Sequence, residues 1–253
     1  MKNKDHVPLY LIGSHYDGIT QWLTEDLPFY LDQIRSFGDP VLELASGTGR
    51  LAIPIAREGF RITGLDITDT MLEHAREKAR QADVSVEWIK ADFRDFRLPE
   101  KFNVILFPFN SISHLYDAKS IQSCFSRVRD HLTDQGRFII DFFNPRLDLL
   151  MRDPSEQYPA NIDYPDPDGR GEIVVSESVR YDAATQINHI LWTFDIGGKE
   201  KIVEELNMRI FYPQELDALL RANGFVVESK YGDYDRSPFE SSSPKQLIIS
   251  KKQ

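Results

Sequence analysis

The feature that most constrains the fold is a glycine-containing turn that joins a short apolar strand directly to a helix. The predicted strand is Val41-Leu42-Glu43-Leu44, the turn is Ala45-Ser46-Gly47-Thr48-Gly49, and the helical face that follows ends at Gly59. Such a unit brings backbone N–H groups to the carboxyl edge of a parallel sheet, where open α/β folds bind ligands. Gly47 and Gly49 can adopt backbone angles closed to other residues, and they let a ligand approach the main chain.

The rest of the chain repeats the alternation of strands and helices. Predicted strands at 61–66, 84–89, 103–109 and 137–143 are separated by segments of helical period, with a turn predicted at Gly136. A helix predicted from Pro213 to Gly224 precedes two closing strands, 225–231 and 246–250. This pattern predicts an α/β fold with a doubly wound, mostly parallel seven-stranded sheet whose last strand is antiparallel.

Two segments depart from this alternation. Four prolines fall between Asp153 and Asp168, and three strand-like runs, 172–180, 188–196 and 202–211, then follow without helices. They predict an inserted antiparallel sheet that serves as a substrate lid. We therefore expect an N-terminal helical cover over residues 1–40, a binding core over 41–145 and 212–253, and an insert over 146–211.

Composition restricts the classes of partner. Thirty Lys and Arg against forty Asp and Glu give the 253-residue chain a formal charge of −10, and no basic run is present. This charge repels phosphate backbones and anionic membranes, so we expect neither a nucleic-acid nor a membrane partner. The apolar stretch after Met1–Asp5 is too short for a signal peptide or a membrane anchor, and the single cysteine, Cys124, cannot form an internal disulfide. These features predict a cytoplasmic protein.

Acidic residues follow or lie on three successive predicted strands. Glu43 lies within the first strand, Asp66 ends the second, and Asp92, followed by Phe93, comes after the third. A carboxylate beside the glycine turn suits a ligand with an ammonium and a sulfonium charge better than a pyrophosphate. Asp66 could accept hydrogen bonds from both hydroxyls of a ribose, and Asp92 from an exocyclic adenine amine. The pattern favours a neutral-to-cationic nucleoside ligand.

These motifs, with the fourth strand Phe102-Asn103-Val104-Ile105, resemble the ordered motifs of class I S-adenosylmethionine-dependent methyltransferases. The resemblance covers roughly residues 38–145 and the two closing strands. Ala45 departs from it, because the family usually has glycine there. The resemblance implies that S-adenosylmethionine is the cofactor and that its site comprises Tyr16, Glu43, Ala45, Gly47, Arg50, Asp66, Ile67, Met71, Asp92, Phe93, Phe107 and Phe109.

A narrower resemblance concerns the methyl acceptor. Tyr16-Asp17, Phe109-Asn110-Ser111-Ile112-Ser113-His114-Leu115 and the antiparallel insert are similar to features of small-molecule N-methyltransferases acting on glycine, sarcosine or amino sugars. This similarity implies that Tyr16 lies over the cofactor and that the insert roofs the acceptor. It makes Tyr16 and His114 candidate catalytic residues, which could take a proton from an amine. Asn110, His114 and Asn144 are candidate substrate-binding residues.

Other interpretations of the same residues remain open. Gly47-x-Gly49-x-x-Ala52 also satisfies the dinucleotide-binding fingerprint, so a nicotinamide-dependent oxidoreductase is an alternative, as is a cofactor-binding protein without catalysis. His114 could pack its loop without touching substrate, and Asn144 could simply turn the chain before Pro145. The sequence specifies no metal site, no single acceptor and no oligomeric state.

Overall fold

The computed structural model describes Pro8 and residues 11–253. The residues Met1–Asp5, for which we predicted no signal peptide, lie outside the described part of the chain. Among the described residues, no helix combines the length and the apolar character needed to cross a membrane.

The elements follow the predicted alternation. In chain order the strands are β1 (Val41–Leu44), β2 (Ile62–Asp66), β3 (Glu87–Lys90), β4 (Phe102–Phe107), β5 (Leu132–Phe143), β6 (Tyr158–Pro159), β7 (Tyr164–Pro165), β8 (Glu172–Asp182), β9 (Ile187–Ile196), β10 (Glu200–Arg209), β11 (Phe225–Tyr231) and β12 (Lys245–Lys252). The helices are α1 (Gly13–Thr20), α2 (Asp26–Phe37), α3 (Ala52–Arg57), α4 (Asp69–Gln81), α5 (Ala118–His131), α6 (Leu147–Leu150) and α7 (Pro213–Ala222), and a 3₁₀ turn spans Ser111–His114.

The main sheet has seven strands in the order β11-β12-β5-β4-β1-β2-β3. Strands β1 to β5 pair in parallel, whereas β12 runs antiparallel to both β5 and β11. Every residue of β1 and β2 is buried, as expected for central strands covered on both faces. The predicted fold class, with its antiparallel last strand, is confirmed.

A second sheet is antiparallel, with the order β10-β9-β8-β6, and β7 also pairs with β8. Strands β8 and β9 pair over ten positions, from Ile173 opposite Ile196 to Asp182 opposite Ile187. Its buried face carries an apolar cluster that includes Ile173, Phe194 and Tyr164. The predicted antiparallel insert is therefore present, and its role as a substrate lid stays a prediction.

The described residues form two compact units. One contains the residues up to Leu23 and Arg146–Ile210, and the other contains Thr24–Pro145 and Phe211–Gln253. Helix α1 thus belongs with the antiparallel sheet, and α2 belongs with the seven-stranded sheet. Our predicted boundaries, which kept residues 1–40 together, stay a prediction.

The turn predicted at Gly136 is wrong. Strand β5 begins at Leu132 and continues through Gly136, and the pairing with β4 shifts register between Phe102 and Val104. A Cβ atom at Gly136 would lie 2.9 Å from the carbonyl oxygen of Phe102. The glycine therefore permits a close approach of two backbones inside an irregular strand. In the sequence alone, a glycine at this position is indistinguishable from one that forms a turn.

Candidate functional site

The glycine turn lies at the carboxyl end of β1 and has an unusual backbone conformation. Ala45, Gly47 and Gly49 have φ angles of 53°, 53° and 76°, in the left-handed region. The turn is fixed by hydrogen bonds from the N–H of Ser46 to Leu65 O (3.0 Å) and from the N–H of Gly49 to Ser46 O (2.9 Å). A left-handed alanine costs about 1–2 kcal/mol, and such strain concentrates at functional sites.

Glu43 is a buried carboxylate in the middle of the seven-stranded sheet. Only 3% of the residue is exposed, and no described residue donates a hydrogen bond to its Oε2 atom. Burial raises the pKa of Glu43 to about 8, opposed by the charge of Arg50 and by a hydrogen bond from the backbone of Ala52. An unsatisfied buried carboxylate is costly, so this atom is available to a ligand that brings its own donor.

The charge of Arg50 opposes the rise in the pKa of Glu43, but Arg50 is also paired with another carboxylate. Its guanidinium makes two hydrogen bonds to the carboxylate of the fully buried Asp26, of 2.9 and 2.6 Å. It also lies over the ring of Phe109, 5.6 Å from the centroid. Asp26 therefore holds the predicted cofactor residue Arg50 in place. The charge of Arg50 reduces, but does not cancel, the rise that burial causes in the pKa of Glu43.

Asp66 ends β2 and connects two turns of the site. Its Oδ2 atom accepts a hydrogen bond from the N–H of Gly47 (2.9 Å), and its Oδ1 atom accepts one from the N–H of Thr68 (2.8 Å). Each carboxylate oxygen keeps a second lone pair for another donor. The next residue, Ile67, is 57% exposed although apolar, whereas Met71 of α4 is buried.

Asp92 and Phe93 follow β3, where the sequence placed them, but Asp92 has a partner that the sequence did not predict. Arg94 donates to both of its oxygens, with Nε 2.9 Å from each, and this contact lowers the pKa of Asp92. The ring of Phe93 packs edge-on against Phe107, 5.1 Å between centroids. Phe107 is fully buried and stacks on Phe138, so it supports Phe93 from the core.

The segment after β4 contains a second strained turn. Phe109 and Asn110 both have left-handed φ angles, 48° and 59°. The Asn110 side chain accepts a hydrogen bond from the N–H of Phe143 (2.8 Å), which fastens the turn to the end of β5. The 3₁₀ turn that follows ends at His114, whose pKa is lowered by burial while the charge of Asp66 opposes the shift.

Two predicted residues have local roles in the structure. The Asn144 side chain donates to the carbonyl oxygen of Ser243 (2.9 Å), and its backbone N–H donates to Pro244 O (2.8 Å). This arrangement agrees with the alternative that Asn144 turns the chain. Tyr16 lies in α1, where its carbonyl oxygen accepts a hydrogen bond from Thr20 Oγ1 (2.9 Å). The predicted ligand contacts of both side chains stay predictions.

Sequence reasoning missed two buried carboxylates near the site. Asp26 occurs at the start of α2 and gave no signal, because acidic residues are common in the first turn of a helix. Asp141 was detectable, since it lies inside the apolar run Phe138–Phe143 in the same way that Glu43 interrupts β1. The signal shared by Glu43 and Asp141 is an acidic residue within an apolar strand.

The arrangement can hold a ligand with three chemical parts. A cationic donor fits beside the Oε2 atom of Glu43, a vicinal diol can donate to Asp66, and an apolar ring can contact the exposed side chain of Ile67.

Comparison with known proteins finds similarity to methyltransferases. Residues 41–136 match the model of a family described as a methyltransferase domain. The chain is 26% identical to a dTDP-3-amino-3,4,6-trideoxy-alpha-D-glucopyranose N,N-dimethyltransferase of Streptomyces venezuelae, over 74% of this chain and 76% of that one. It is 24% identical to a glycine/sarcosine N-methyltransferase of Aphanothece halophytica, over 88% and 80% of the two chains.

A further match covers less of the relative's length. The chain spans about half of a putative methyltransferase of Geobacillus sp., with 27% identity over 45% of this chain and 46% of the relative. Among solved structures, the CcbJ methyltransferase of Streptomyces caelestis superposes with a TM-score of 0.80 at 23% identity, covering 95% of this chain and 96% of that one. This likeness shows the shared fold.

We predict that Glu43→Gln stabilises the free protein above neutral pH. Burial raises the pKa of Glu43 to about 8 from an ordinary value of 4.5, so the folded state binds this proton more tightly than the unfolded state. Stability therefore falls as the pH rises from about 4.5 to 8. A neutral glutamine lacks this cost, and we expect a gain on the order of 3 kcal/mol at pH 8.5 and a much smaller one at pH 5.

Urea denaturation at the two pH values measures this gain. Glu73→Gln, which changes an exposed glutamate of α4, serves as the matched control and should leave the free energy of unfolding unchanged. Equal stability of Glu43→Gln and the wild type at pH 8.5 would show that Glu43 is compensated in the free protein.

Proposed function

We propose that this chain, whose residues 41–136 are a methyltransferase domain, transfers a methyl group from S-adenosylmethionine to a small-molecule acceptor, an amine nitrogen. The observation that carries the proposal is the buried Glu43, whose Oε2 atom accepts no hydrogen bond within the described residues. The cofactor carries an ammonium and a sulfonium group, and either charge would stabilise the ionised carboxylate. The donor that Glu43 lacks is one that the cofactor has.

The other residues of the site fit the remaining parts of the same molecule. We assign the ribose hydroxyls to the free lone pairs of Asp66 and the adenine face to Ile67 and the buried Met71 beside it. Asp92 with Phe93 is assigned to the adenine edge, and Ala45, Gly47, Arg50, Phe107 and Phe109 complete the proposed set. Tyr16 keeps its predicted place over the cofactor as part of this proposal.

When bound, S-adenosylmethionine supplies a methyl group already activated by the positive charge on sulfur. The main task of the chain is then alignment, because holding a nucleophile in line at about 3–3.5 Å removes several kcal/mol from the barrier. The left-handed backbone at Ala45 and Phe109 and the rigid Arg50–Asp26 pair suit this task, since they leave the site little freedom to rearrange.

An amine acceptor must lose a proton before or during transfer. We propose that His114 takes it, directly or through water, because burial lowers the pKa of His114 and keeps the imidazole neutral at physiological pH. Tyr16 is the second candidate for this role, and Asn110, His114 and Asn144 are the proposed acceptor-binding residues. The names of the amino-sugar and glycine/sarcosine relatives support an amine over an oxygen acceptor.

We predict that the protein binds S-adenosylhomocysteine with a dissociation constant in the micromolar range or below and does not bind reduced nicotinamide dinucleotides. Isothermal titration of the same preparation with both compounds measures this. The titrations are run at pH 8.5, above the pKa of about 8, where the ionised carboxylate of Glu43 beside the turn should repel the pyrophosphate of a dinucleotide. Tight dinucleotide binding without a response to S-adenosylhomocysteine would support the oxidoreductase alternative.

A second prediction concerns the ribose assignment. Asp66→Ala should weaken S-adenosylhomocysteine binding by at least tenfold, because the variant loses two acceptors for the sugar hydroxyls. Asp69→Ala, three residues further on and exposed, is the matched control and should bind as the wild type does. Thermal denaturation of the same samples reports any loosening of the Gly47 turn, and unchanged affinity in Asp66→Ala would show that the assignment is wrong.

A third prediction addresses the acceptor. A screen of amines, amino acids, amino sugars and phenols with methyl-labelled cofactor should give transfer to nitrogen. With the acceptor so identified, His114→Gln should lower kcat by about a hundredfold or more, since a general base typically contributes about 10²–10⁴-fold. His74→Gln in α4 is the control. Labelling of phenols alone, or full activity of His114→Gln, would count against the nitrogen acceptor and the proton-accepting role respectively.

A further inference from the structure

Asp141 is a buried carboxylate that the proposed function does not use. It lies near the carboxyl end of β5 and has no exposed surface. Its Oδ2 atom accepts hydrogen bonds from the hydroxyl of Tyr234 (2.6 Å), the backbone N–H of Phe109 (3.2 Å) and the hydroxyl of Tyr30 (3.3 Å). Lys245 Nζ lies 3.6 Å from Oδ1. The carboxylate therefore connects α2, the segment after β4 and the β11–β12 connection.

The two tyrosines are suited to remain donors. Burial and the charge of Asp141 raise the pKa of Tyr30 and Tyr234 far above the ordinary value. Their rings lie 6.5 Å apart, and Lys245 lies over the ring of Tyr234, 4.7 Å from its centroid. Hydrogen bonds from such donors to a carboxylate are stronger than those between neutral groups.

The contact with Phe109 is the one that reaches the site. Asp141 binds the strained turn twice, since its side chain accepts from the N–H of Phe109 and its backbone oxygen accepts from the N–H of Asn110 (3.0 Å). Both turn residues are left-handed although neither is glycine. A conformation of this kind costs of order 1–3 kcal/mol per residue and persists only where the surroundings hold it. Asp141 contributes two hydrogen bonds to that hold, beside the one from the Phe143 N–H to the Asn110 side chain.

The turn connects the two halves of the proposed cofactor site. Phe109 places its ring against the guanidinium of Arg50, whose charge acts on Glu43, the residue assigned to the methionine part. The 3₁₀ turn that starts at Ser111 carries His114 close enough to Asp66, on the ribose side, for that charge to act on the imidazole. A small shift of the turn would therefore move a residue on each side of the site.

We propose that Asp141 is a positioning residue, which holds the Phe109–Asn110 turn in its left-handed conformation so that Phe109 and His114 are placed against the cofactor site. The proposal rests on the proposed function for its effect on cofactor binding. The claim that Asp141 holds the turn depends only on its hydrogen bonds with Phe109 and Asn110. A purely stabilising role for Asp141 would instead leave the site unchanged wherever the protein remains folded.

The test uses the full chain, three single variants and the double variant of Asp141→Asn and Tyr234→Phe. Asp141→Asn keeps the size of the side chain and removes its charge, and Tyr234→Phe removes the shortest hydrogen bond to Oδ2 while preserving the ring. Ser250→Ala is the matched control, because Ser250 is equally buried and its hydroxyl donates to Phe138 O on the same strand, away from the turn (3.1 Å). If Asp141→Asn fails to fold, Tyr234→Phe carries the test.

Three measurements follow. NMR hydrogen exchange of the Phe109 amide and the ring carbon shift of His114 report the turn, and titration with S-adenosylhomocysteine reports the site. We expect Phe109 exchange at least tenfold faster and affinity at least tenfold weaker in Asp141→Asn, smaller changes of the same kind in Tyr234→Phe, and neither in Ser250→Ala. The double variant should add little to Asp141→Asn, because both changes act through one oxygen.

The outcomes separate this proposal from the proposed function. Unchanged Phe109 exchange in both variants, or faster exchange with unchanged affinity, would overturn the positioning role. If the wild type binds no S-adenosylhomocysteine, the proposed function fails. The Phe109 exchange rate and the His114 shift then test whether Asp141 holds the turn. A change of both in Asp141→Asn supports this role, and values equal to those of Ser250→Ala overturn it.

Discussion

The burial of carboxylates around the carboxyl edge of the parallel sheet is the constraint on which the site depends. Asp26, Glu43, Asp66 and Asp141 are each no more than 8% exposed, and all belong to the compact unit that contains the seven-stranded sheet. A buried charge without partners costs several kcal/mol, so the neighbouring chain must supply donors. The strained turns, the Arg50 pair and the placement of Tyr30 and Tyr234 can all be understood as ways of supplying them.

Three of the four carboxylates are compensated within the chain, each by a different kind of donor. Asp26 has the guanidinium of Arg50, Asp66 has two backbone N–H groups, and Asp141 has two tyrosine hydroxyls and the N–H of Phe109. Glu43 differs because its Oε2 atom accepts no hydrogen bond from the described residues and burial raises its pKa to about 8. The Oδ1 atom of Asp141 also accepts no hydrogen bond, but it lies 3.6 Å from the ammonium of Lys245. The exception has a physical meaning, because a fully compensated Glu43 would have no lone pair to offer a ligand.

The sequence predicted the sheet and the strand-end positions of the site, because both follow from hydrophobic periodicity and from the edge that parallel strands share. It could not predict which charges pair. Arg94 beside Asp92 and Asp26 beside Arg50 are contacts between side chains whose orientation depends on packing. The turn predicted at Gly136 was wrong for a related reason. The sequence does not distinguish a glycine that allows two backbones to approach closely from a glycine that forms a turn.

The left-handed Ala45 extends the same argument to the backbone. Where the resembling family usually has glycine, this chain has a residue that makes the turn less favourable, and the conformation is nevertheless retained at φ 53°. The hydrogen bond from Ser46 to Leu65 and the one from Gly47 to Asp66 hold the residues on its C-terminal side. Asp66 thus has two tasks, since its carboxylate holds the turn and, by our proposal, binds the ribose. The glycine turn and the acid to which we assign the ribose are therefore coupled through the Gly47–Asp66 hydrogen bond, and the strain of the turn is offset only while Asp66 is in place.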